Sequence, residues 1–321
     1  MPKIRISILI LLSTIILCTS VFLAPKIINP FHLDDTTRSI LLFIRLPRVT
    51  VAFLMGMALG ASGAVLQGIL RNPLADPYIL GISSGASLSA AVVLLSGSYL
   101  FGKFTIPLAA FFGASLVSIL VGFFGWKRGG LWPERLLLAG IGLSFLFHAV
   151  LMLLMSISPG ERMGRTMFWI FGDLSVTDWS LIPYGSLFIL LGFVISLSRA
   201  KALNALMLGD ELAHSLGFSV HKERLLVFIS ISLMTAASVS LGGIIGFIGL
   251  LVPHIMRFFI GADSRVLVPA SGIGGGILLC LADTIGRSIM QPVEIPAGIV
   301  TAIIGSPYFL YLLRRRDVLS A

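Results

Sequence analysis

Long apolar runs, separated by short polar segments, recur along the whole chain. Ten of these runs approach or exceed the roughly 20 residues that a helix needs to cross the hydrocarbon core of a bilayer. None of them alternates apolar and polar residues as the strands of a membrane barrel do. The pattern predicts an all-α polytopic membrane protein with about ten transmembrane helices, at residues 6–23, 49–70, 79–95, 106–124, 136–157, 181–197, 225–241, 244–260, 266–289 and 295–313.

The composition agrees with a membrane environment. The chain has 321 residues, of which 57% are hydrophobic and 12% are charged, whereas soluble domains carry about 25% charged residues. Because one soluble core could not bury so much apolar surface, we expect a single transmembrane domain covering residues 1–321. The apolar stretch at 6–24 is longer than the core of a secretion signal, so we expect the first helix to be retained.

The distribution of positive charge predicts an orientation. The formal net charge is +9, and most of the 23 Lys and Arg residues fall in inner loops if the N-terminus is cytoplasmic. Both termini are then expected inside the cell. Since these basic residues lie in short loops between apolar runs, a nucleic-acid partner is not expected. Arg45, Arg48 and Arg287 fall on the outer side, against the general bias.

The sequence lacks the motifs of common catalytic and metal sites. It contains no HExxH, no Cys/His cluster and no GxSxG. Residues 97–104 come close to a phosphate-binding loop, but Phe104 stands where Mg²⁺ needs a hydroxyl group. Cys18 and Cys280 lie in apolar runs, where Cys behaves as a small hydrophobic residue. We therefore expect no enzyme activity, no catalytic residue, no bound metal and no cofactor.

Acidic residues within the apolar runs would indicate coupling to protons or sodium ions. Asp283 precedes Arg287 by four positions, which places both on one helix face and favours a structural ion pair. Glu294 lies beside Pro296 at the outer start of the last helix. A secondary transporter remains an alternative, but it would require a midplane carboxylate, and neither residue has that position.

Two further patterns concern packing and partners. Glycines recur four residues apart, as at Gly56 and Gly60, a spacing that favours close helix packing within one subunit. The inner loop 198–224 is polar, yet its leucines recur at near-helical spacing. This loop is expected to form short amphipathic helices at the cytoplasmic surface, of the kind that bind in a groove of another protein.

Six segments of the sequence resemble one family of membrane proteins. They are "RLPR" (45–48), "GASGAVLQGILRNPLADPYILGISSGAS" (60–87), "RLLLAG" (135–140), "LGDELAHSLG" (208–217), "GFIGLLVPHIMR" (246–257) and "PAGIVTAIIGSPYFLYLLRR" (296–315). In order and without large gaps, they are similar to the FecCD-type permeases, the membrane subunits of ABC importers for iron–siderophores, haem and vitamin B12. The similarity extends from about residue 1 to residue 316.

The resemblance implies a type II ABC importer permease fold and a set of partners. The chain would pair with a second copy of itself in the cytoplasmic membrane of a bacterium or archaeon. Two ATP-hydrolysing subunits would bind on the cytoplasmic side, and a soluble substrate-binding protein would dock outside. The expected cargo is an iron(III)–siderophore, with cobalamin or haem as alternatives.

The resemblance also assigns expected roles to four groups of residues, which we name here. The coupling set, expected to contact the ATPase, comprises Gly209, Asp210, Glu211, Ala213, Leu216 and Gly217. The docking set, expected to bind acidic residues of the binding protein, comprises Arg45, Arg48 and Arg287. The turn set, expected to form a rigid cytoplasmic turn because proline interrupts helices, comprises Asn72, Pro73, Asp76 and Pro77.

The gate set departs from the family pattern. It precedes "RLLLAG" and comprises Leu131, Trp132, Pro133 and Glu134. The cobalamin permease has small hydroxyl residues at this place. We therefore expect a cytoplasmic gate that is built differently or shaped for a different cargo.

Overall fold

The computed structural model describes residues 2–22, 34–175 and 177–314. Nearly all of this part of the chain is helical, and its strands form one two-stranded hairpin. The elements in chain order are α1 (Pro2–Phe22), α2 (Asp35–Ile40), a π-helical turn (Leu41–Arg45), α3 (Leu46–Leu70), a 3₁₀ turn (Pro77–Leu80), α4 (Ile82–Ser96), a 3₁₀ turn (Gly102–Phe104), α5 (Thr105–Gly125), β1 (Trp126–Lys127), β2 (Gly130–Leu131), α6 (Pro133–Ser156), α7 (Gly160–Ile170), α8 (Ile182–Ser198), α9 (Ala200–Leu208), α10 (Asp210–Ser215), α11 (Val220–Gly242), α12 (Ile248–Ile260), α13 (Ser264–Ile289) and α14 (Ala297–Arg314).

The predicted all-α membrane class is confirmed. Five helical segments among the described residues are long and apolar enough to cross a bilayer, and α8 with α9 would make a sixth although they bend by 57°. Four shorter apolar helices follow the remaining predicted runs: Ser7–Phe22, Ile82–Ser96, Ile248–Ile260 and Ala297–Leu312. The predicted count of ten spans stays a prediction, because the apolar segments of these four helices, taken over the described residues, are shorter than the five that are long enough to cross.

Helix α3 lies at the centre of the bundle and packs directly on α13. A Cβ atom added to Gly56 would lie 2.2 Å from the carbonyl oxygen of Gly275, and one added to Gly60 would lie 2.1 Å from that of Ser271. The two helix backbones therefore touch, which only glycine permits at these positions. For this pair of helices, the prediction that small residues pack within one subunit is confirmed.

Helix α12 begins later than its apolar run. The run starts at residue 244, but residues 243–247 are not helical, and Gly243 and Phe247 have φ angles of +79° and +69°. Pro253, inside α12, has no N–H to donate to the carbonyl of Gly249 four residues earlier. Gln67 of α3 compensates, since its Nε2 donates to the carbonyl oxygens of Gly249 at 3.3 Å and Leu250 at 3.2 Å.

Candidate functional site

The four named sets lie at two opposite ends of the bundle. Helix α3 connects these ends and, with 25 residues, has a length of about 37 Å at 1.5 Å per residue. The docking set gathers around the start of α3, whereas the coupling, gate and turn sets gather around its last residues, near Arg71. This arrangement is the one that the predicted orientation requires for an outer and a cytoplasmic face.

The coupling set forms a short helix with defined ends. Gly209, with φ +129°, separates α9 from α10, and its carbonyl oxygen accepts a bond from the Ala213 N–H at 2.9 Å. At the other end Gly217 has φ +87°, a left-handed conformation that glycine adopts without strain. The Phe218 N–H donates to the carbonyl of Ala213 at 3.0 Å, and the Gly217 N–H donates to that of His214 at 2.9 Å. These two bonds make a Schellman motif, which fixes where the helix stops.

The two faces of this helix differ in burial. Ala213 is fully buried and packs in a small cluster with Ala205, Leu206 and Phe218. Leu208 at the end of α9, Leu212 within α10 and Leu216 directly after α10 remain 69%, 45% and 58% exposed. Ala213 therefore joins α10 to α9, while the exposed leucines, which we call the leucine face, offer an apolar surface outside the membrane-spanning bundle.

Two arginines hold the first residue of α10. The Arg224 Nη2 donates to both carboxylate oxygens of Asp210, at 2.6 and 2.8 Å. Arg71 also pairs with Asp210, and its Nε donates to the carbonyl of Leu206 at 2.8 Å. Burial alone would raise the pKa of Asp210, but hydrogen bonding to Arg224 and the charges of Arg224 and Arg71 lower this pKa below its ordinary value. The carboxylate therefore stays ionised and paired at neutral pH.

Arg224 belongs to none of the four named sets, although it contacts the coupling set. Its side chain is 5% exposed, although charged residues are almost never fully buried unless they are paired. A signal was available, because Arg224 is the last residue of the polar loop 198–224 and stands directly before the apolar run "LLVFISIS". Its partner, Asp210, is 14 residues away, and no local spacing rule connects them.

The gate set begins in the second strand of a β-hairpin. Trp126 pairs with Leu131 and Lys127 with Gly130, while Arg128 and Gly129 make the turn with positive φ angles. Within the gate set, Leu131 is fully buried, the indole Nε1 of Trp132 donates to the carbonyl of Lys127 at 2.9 Å, and Pro133 and Glu134 begin α6. The bulky residues of this set thus build a closed hairpin, which the sequence did not predict.

The turn set forms a hydrogen-bonded turn after α3. The Leu74 N–H donates to Oδ1 of Asn72 at 2.9 Å, and the Tyr78 N–H donates to Oδ1 of Asp76 at 2.9 Å. Pro77 occupies the first position of the 3₁₀ turn, where proline fits well because no N–H is needed. Pro73 lies between these two side-chain bonds. The contact of this turn with an ATPase stays a prediction.

The docking set is buried and has internal partners. Arg48 binds Asp283 through Nε at 3.0 Å and Nη2 at 2.8 Å, and binds Glu294 through Nη1 at 2.7 Å. Arg287 pairs with Asp283 at 3.0 Å, which confirms the predicted i,i+4 ion pair. The Arg45 Nη1 donates to the carbonyl of Val21 at 2.9 Å. These side chains join α1, α3 and α13, and their docking to a binding protein stays a prediction.

The helical bundle, with several apolar helices long enough to cross a bilayer, is that of a multi-pass membrane protein. Residues 6–315 match the FecCD transport family, and the chain therefore belongs to this family of ABC-type permeases of the cytoplasmic membrane. Its function is transport, not catalysis.

Individual relatives extend the comparison. The chain is 40% identical to the hemin transport system permease protein HmuU of Yersinia pestis, over 88% of this chain and 85% of that protein. It is 39% identical to the Fe(3+)-citrate import system permease protein YfmE of Bacillus subtilis, over 96% and 92% of the two chains. It is 40% identical to the cobalamin import system permease protein BtuC of Halobacterium salinarum, over 90% and 77%.

A solved structure is similar over nearly the whole chain. It is described as an inward-facing conformation of a metal-chelate type ABC transporter, with a TM-score of 0.88 and 32% sequence identity. The similarity covers 98% of this chain and 100% of the other.

Proposed function

We propose that this chain is the membrane-spanning subunit of a binding-protein-dependent ABC importer for a metal chelate. This proposal rests mainly on the leucine face. Exposed leucines on a short helix outside the bundle favour insertion into a groove of a partner protein, the usual mode for an amphipathic helix. In an importer of this family that partner is an ATPase subunit. ATP hydrolysis there would shift α10 and open the cytoplasmic gate beside it.

A second copy of the chain is the proposed partner within the membrane. Of the residues in α6, only Leu136, Gly140 and Leu151 are buried. His148 lies on the exposed part of this helix, where its Nδ1 is 2.8 Å from the carbonyl oxygen of Ser144. A histidine facing lipid is unfavourable, and polar groups in spans usually face a protein contact or an aqueous path. We place α6 at the interface between two copies, beside the transport path.

The proposed cargo is an iron(III)–siderophore, with haem and cobalamin as alternatives. Relatives of similar identity are named for hemin, ferric citrate and cobalamin, so the proposal rests on the shared chemistry of a metal enclosed in an organic ligand. Among the described residues, no three His, Cys, Asp or Glu side chains come together to hold a metal ion. In the proposed mechanism the chelate crosses intact, with the organic ligand shielding its metal.

The binding protein is proposed to dock at the end where the docking set lies. The docking arginines are buried within this chain, but Arg38, Arg162 and Arg165 are exposed at the same end. Basic side chains at a surface orient an acidic partner more than they add affinity. Both termini are proposed to lie on the opposite, cytoplasmic side.

Uptake by proteoliposomes that contain the permease and its ATPase tests this function. With binding protein outside and ATP inside, a ferric siderophore should accumulate, and ADP should not support accumulation. Uptake that follows a proton or sodium gradient without ATP would instead establish the secondary transporter. The ion pairing of Asp283 with two arginines argues against that alternative, because a paired carboxylate is not free to carry a cation.

A further inference from the structure

Arg224 lies between α10 and the β-hairpin and contacts both. Its Nη2 binds the carboxylate of Asp210 at the start of α10, and its Nη1 donates to the backbone carbonyl of Leu131 at 3.4 Å. Its Nε has no hydrogen-bond partner among the described residues. One planar guanidinium group thus joins the helix of the coupling set to the strand that leads into the gate set.

The hairpin is closed at both ends, by its turn and by the bond from the Trp132 indole to the Lys127 carbonyl. It also rests directly on α11, because a Cβ atom added to Gly130 would lie 1.8 Å from Nδ1 of His221. The helix that carries Arg224 therefore supports the hairpin with its first turn.

A cavity of about 670 Å³ adjoins this junction. Its lining includes Trp132 next to the hairpin, Asp210 and His214 of α10, and His221 and Arg224 of α11. Space between α10 and the hairpin means that they do not pack tightly against each other. Their described polar connection runs through Arg224, so a displacement of one element would reach the other through this side chain.

We propose that Arg224 is a positioning residue that transmits the displacement of α10 to the hairpin 126–131 and thereby to the gate. The inference rests on the proposed function. A guanidinium group suits this task, because its fixed fork of N–H donors can hold two acceptors in one geometry. A lysine ammonium group is a point charge on a flexible stem, and we expect it to keep Asp210 while it loses Leu131.

The first test measures the number of chelate molecules transported for each ATP hydrolysed by the reconstituted importer. Arg224→Met should lower this ratio about tenfold, the worth of one charge-assisted hydrogen bond, and Arg224→Lys should give an intermediate value. Arg199→Met is the matched control. Arg199 pairs with Glu223 at 3.4 Å, and its loss leaves the contacts of Arg224 with Asp210 and Leu131 in place. Partial misfolding would reduce transport and hydrolysis together, and the ratio would not change.

The second test uses the permease alone in lipid nanodiscs. Arg224→Met should speed hydrogen exchange in both segments 126–131 and 210–218, whereas Arg199→Met should leave both near the wild-type rate. An unchanged transport ratio, or unchanged exchange in either segment, would overturn the role of Arg224. If the wild-type importer hydrolyses ATP without moving a chelate, the proposed function fails. The exchange measurement alone then decides whether Arg224 connects α10 to the hairpin.

Discussion

Asp283 holds two buried guanidinium groups at the predicted outer end of the bundle, and its neutralisation should destabilise the whole fold. The side chains of Arg48 and Asp283 are 9% and 3% exposed, and Arg287 approaches the same carboxylate at 3.0 Å. In Asp283→Asn the shape is nearly conserved, but the negative charge that these two arginines share is lost. Glu294, which contacts Arg48 at 2.7 Å, is then the carboxylate that remains for the two arginines.

The expected loss follows from this geometry. Removing one partner of a buried ion pair costs about 3–5 kcal/mol, because a buried charge is left without compensation. With about 2.1 cal/mol/K of unfolding entropy per residue, each kcal/mol corresponds to about 1.5 °C in the melting temperature of a chain of 321 residues. We therefore expect Asp283→Asn to melt at least about 4 °C below the wild-type permease.

Thermal unfolding in detergent, followed by size-exclusion chromatography after heating, measures this loss. Asp178→Asn is the matched control, since Asp178 pairs with Lys103 at 2.6 Å but the two side chains are 41% and 55% exposed. Exposed pairs contribute about 1 kcal/mol or less, so this variant should melt within a few degrees of wild type. Adding Arg287→Met to Asp283→Asn should recover part of the loss, because it removes one of the two buried positive charges.

The reasoning would be refuted if Asp283→Asn and Asp178→Asn lost the same stability. Equal losses would mean that solvent or lipid headgroups neutralise the arginines, and that these side chains are accessible to an acidic docking partner after all. The measurement therefore also decides between the structural role and the docking role of this set.

Three further predictions concern individual residues near the cytoplasmic end. Ala213→Arg should speed hydrogen exchange throughout 209–218, because the fully buried site cannot hold an arginine; wild-type exchange would contradict this packing. Gly217→Ala should speed exchange of the Phe218 amide about 5–30-fold, because a left-handed alanine costs roughly 1–2 kcal/mol. The control Gly160→Ala, at a site with open space, should leave this exchange rate unchanged. Gln67→Leu should cost about 1–3 kcal/mol in thermal unfolding, because two carbonyls of α12 lose their donor; an unchanged melting temperature would show that another group satisfies them.

The helical class and the order of the elements follow from hydrophobic runs, because apolar length is a strong local signal. Non-helical breaks within these apolar runs are harder to predict from the sequence. Residues 243–247 are apolar, yet they form non-helical backbone in which the Ile245 N–H donates to the hydroxyl of Tyr78 at 3.0 Å. That partner lies 167 positions away in the sequence. A prediction from local composition therefore begins α12 too early.

The candidate site was predicted in part. The leucines and glycines of 198–224 indicate short helices with a turn, and α9 and α10 are there. The segment "LGDELAHSLG" does not show that Ala213 is buried while Leu212 and Leu216 are exposed, because this depends on how α10 packs on α9. The contact of Arg224 with the hairpin depends on three separate segments, and such a contact has no signature in a single sequence.

The same limit applies to the outer arginines. Their position against the charge bias marks them as unusual, and two explanations were open, docking to a partner or pairing inside the chain. Arg287 pairs with Asp283 one helical turn away, as the local spacing predicts, and its docking to a partner stays a prediction. The carboxylates that bind Arg48 lie more than 230 residues further along the chain, beyond any rule of local spacing.

The affinity of the permease for its ATPase subunit tests the central claim most directly, and the leucine face supplies the variant. Burying a leucine side chain contributes about 1.5–3 kcal/mol, and 1.4 kcal/mol is a factor of ten in affinity. Because Leu212 is 45% and Leu216 is 58% exposed, the surface left to bury is about that of one leucine. Leu212→Glu with Leu216→Glu should therefore weaken binding of the ATPase at least about tenfold, measured with the permease in nanodiscs. Leu100→Glu, which changes a leucine that is 84% exposed at the other end of the bundle, should bind like wild type. Wild-type affinity in the double variant would contradict the account, because the ATPase would then bind elsewhere.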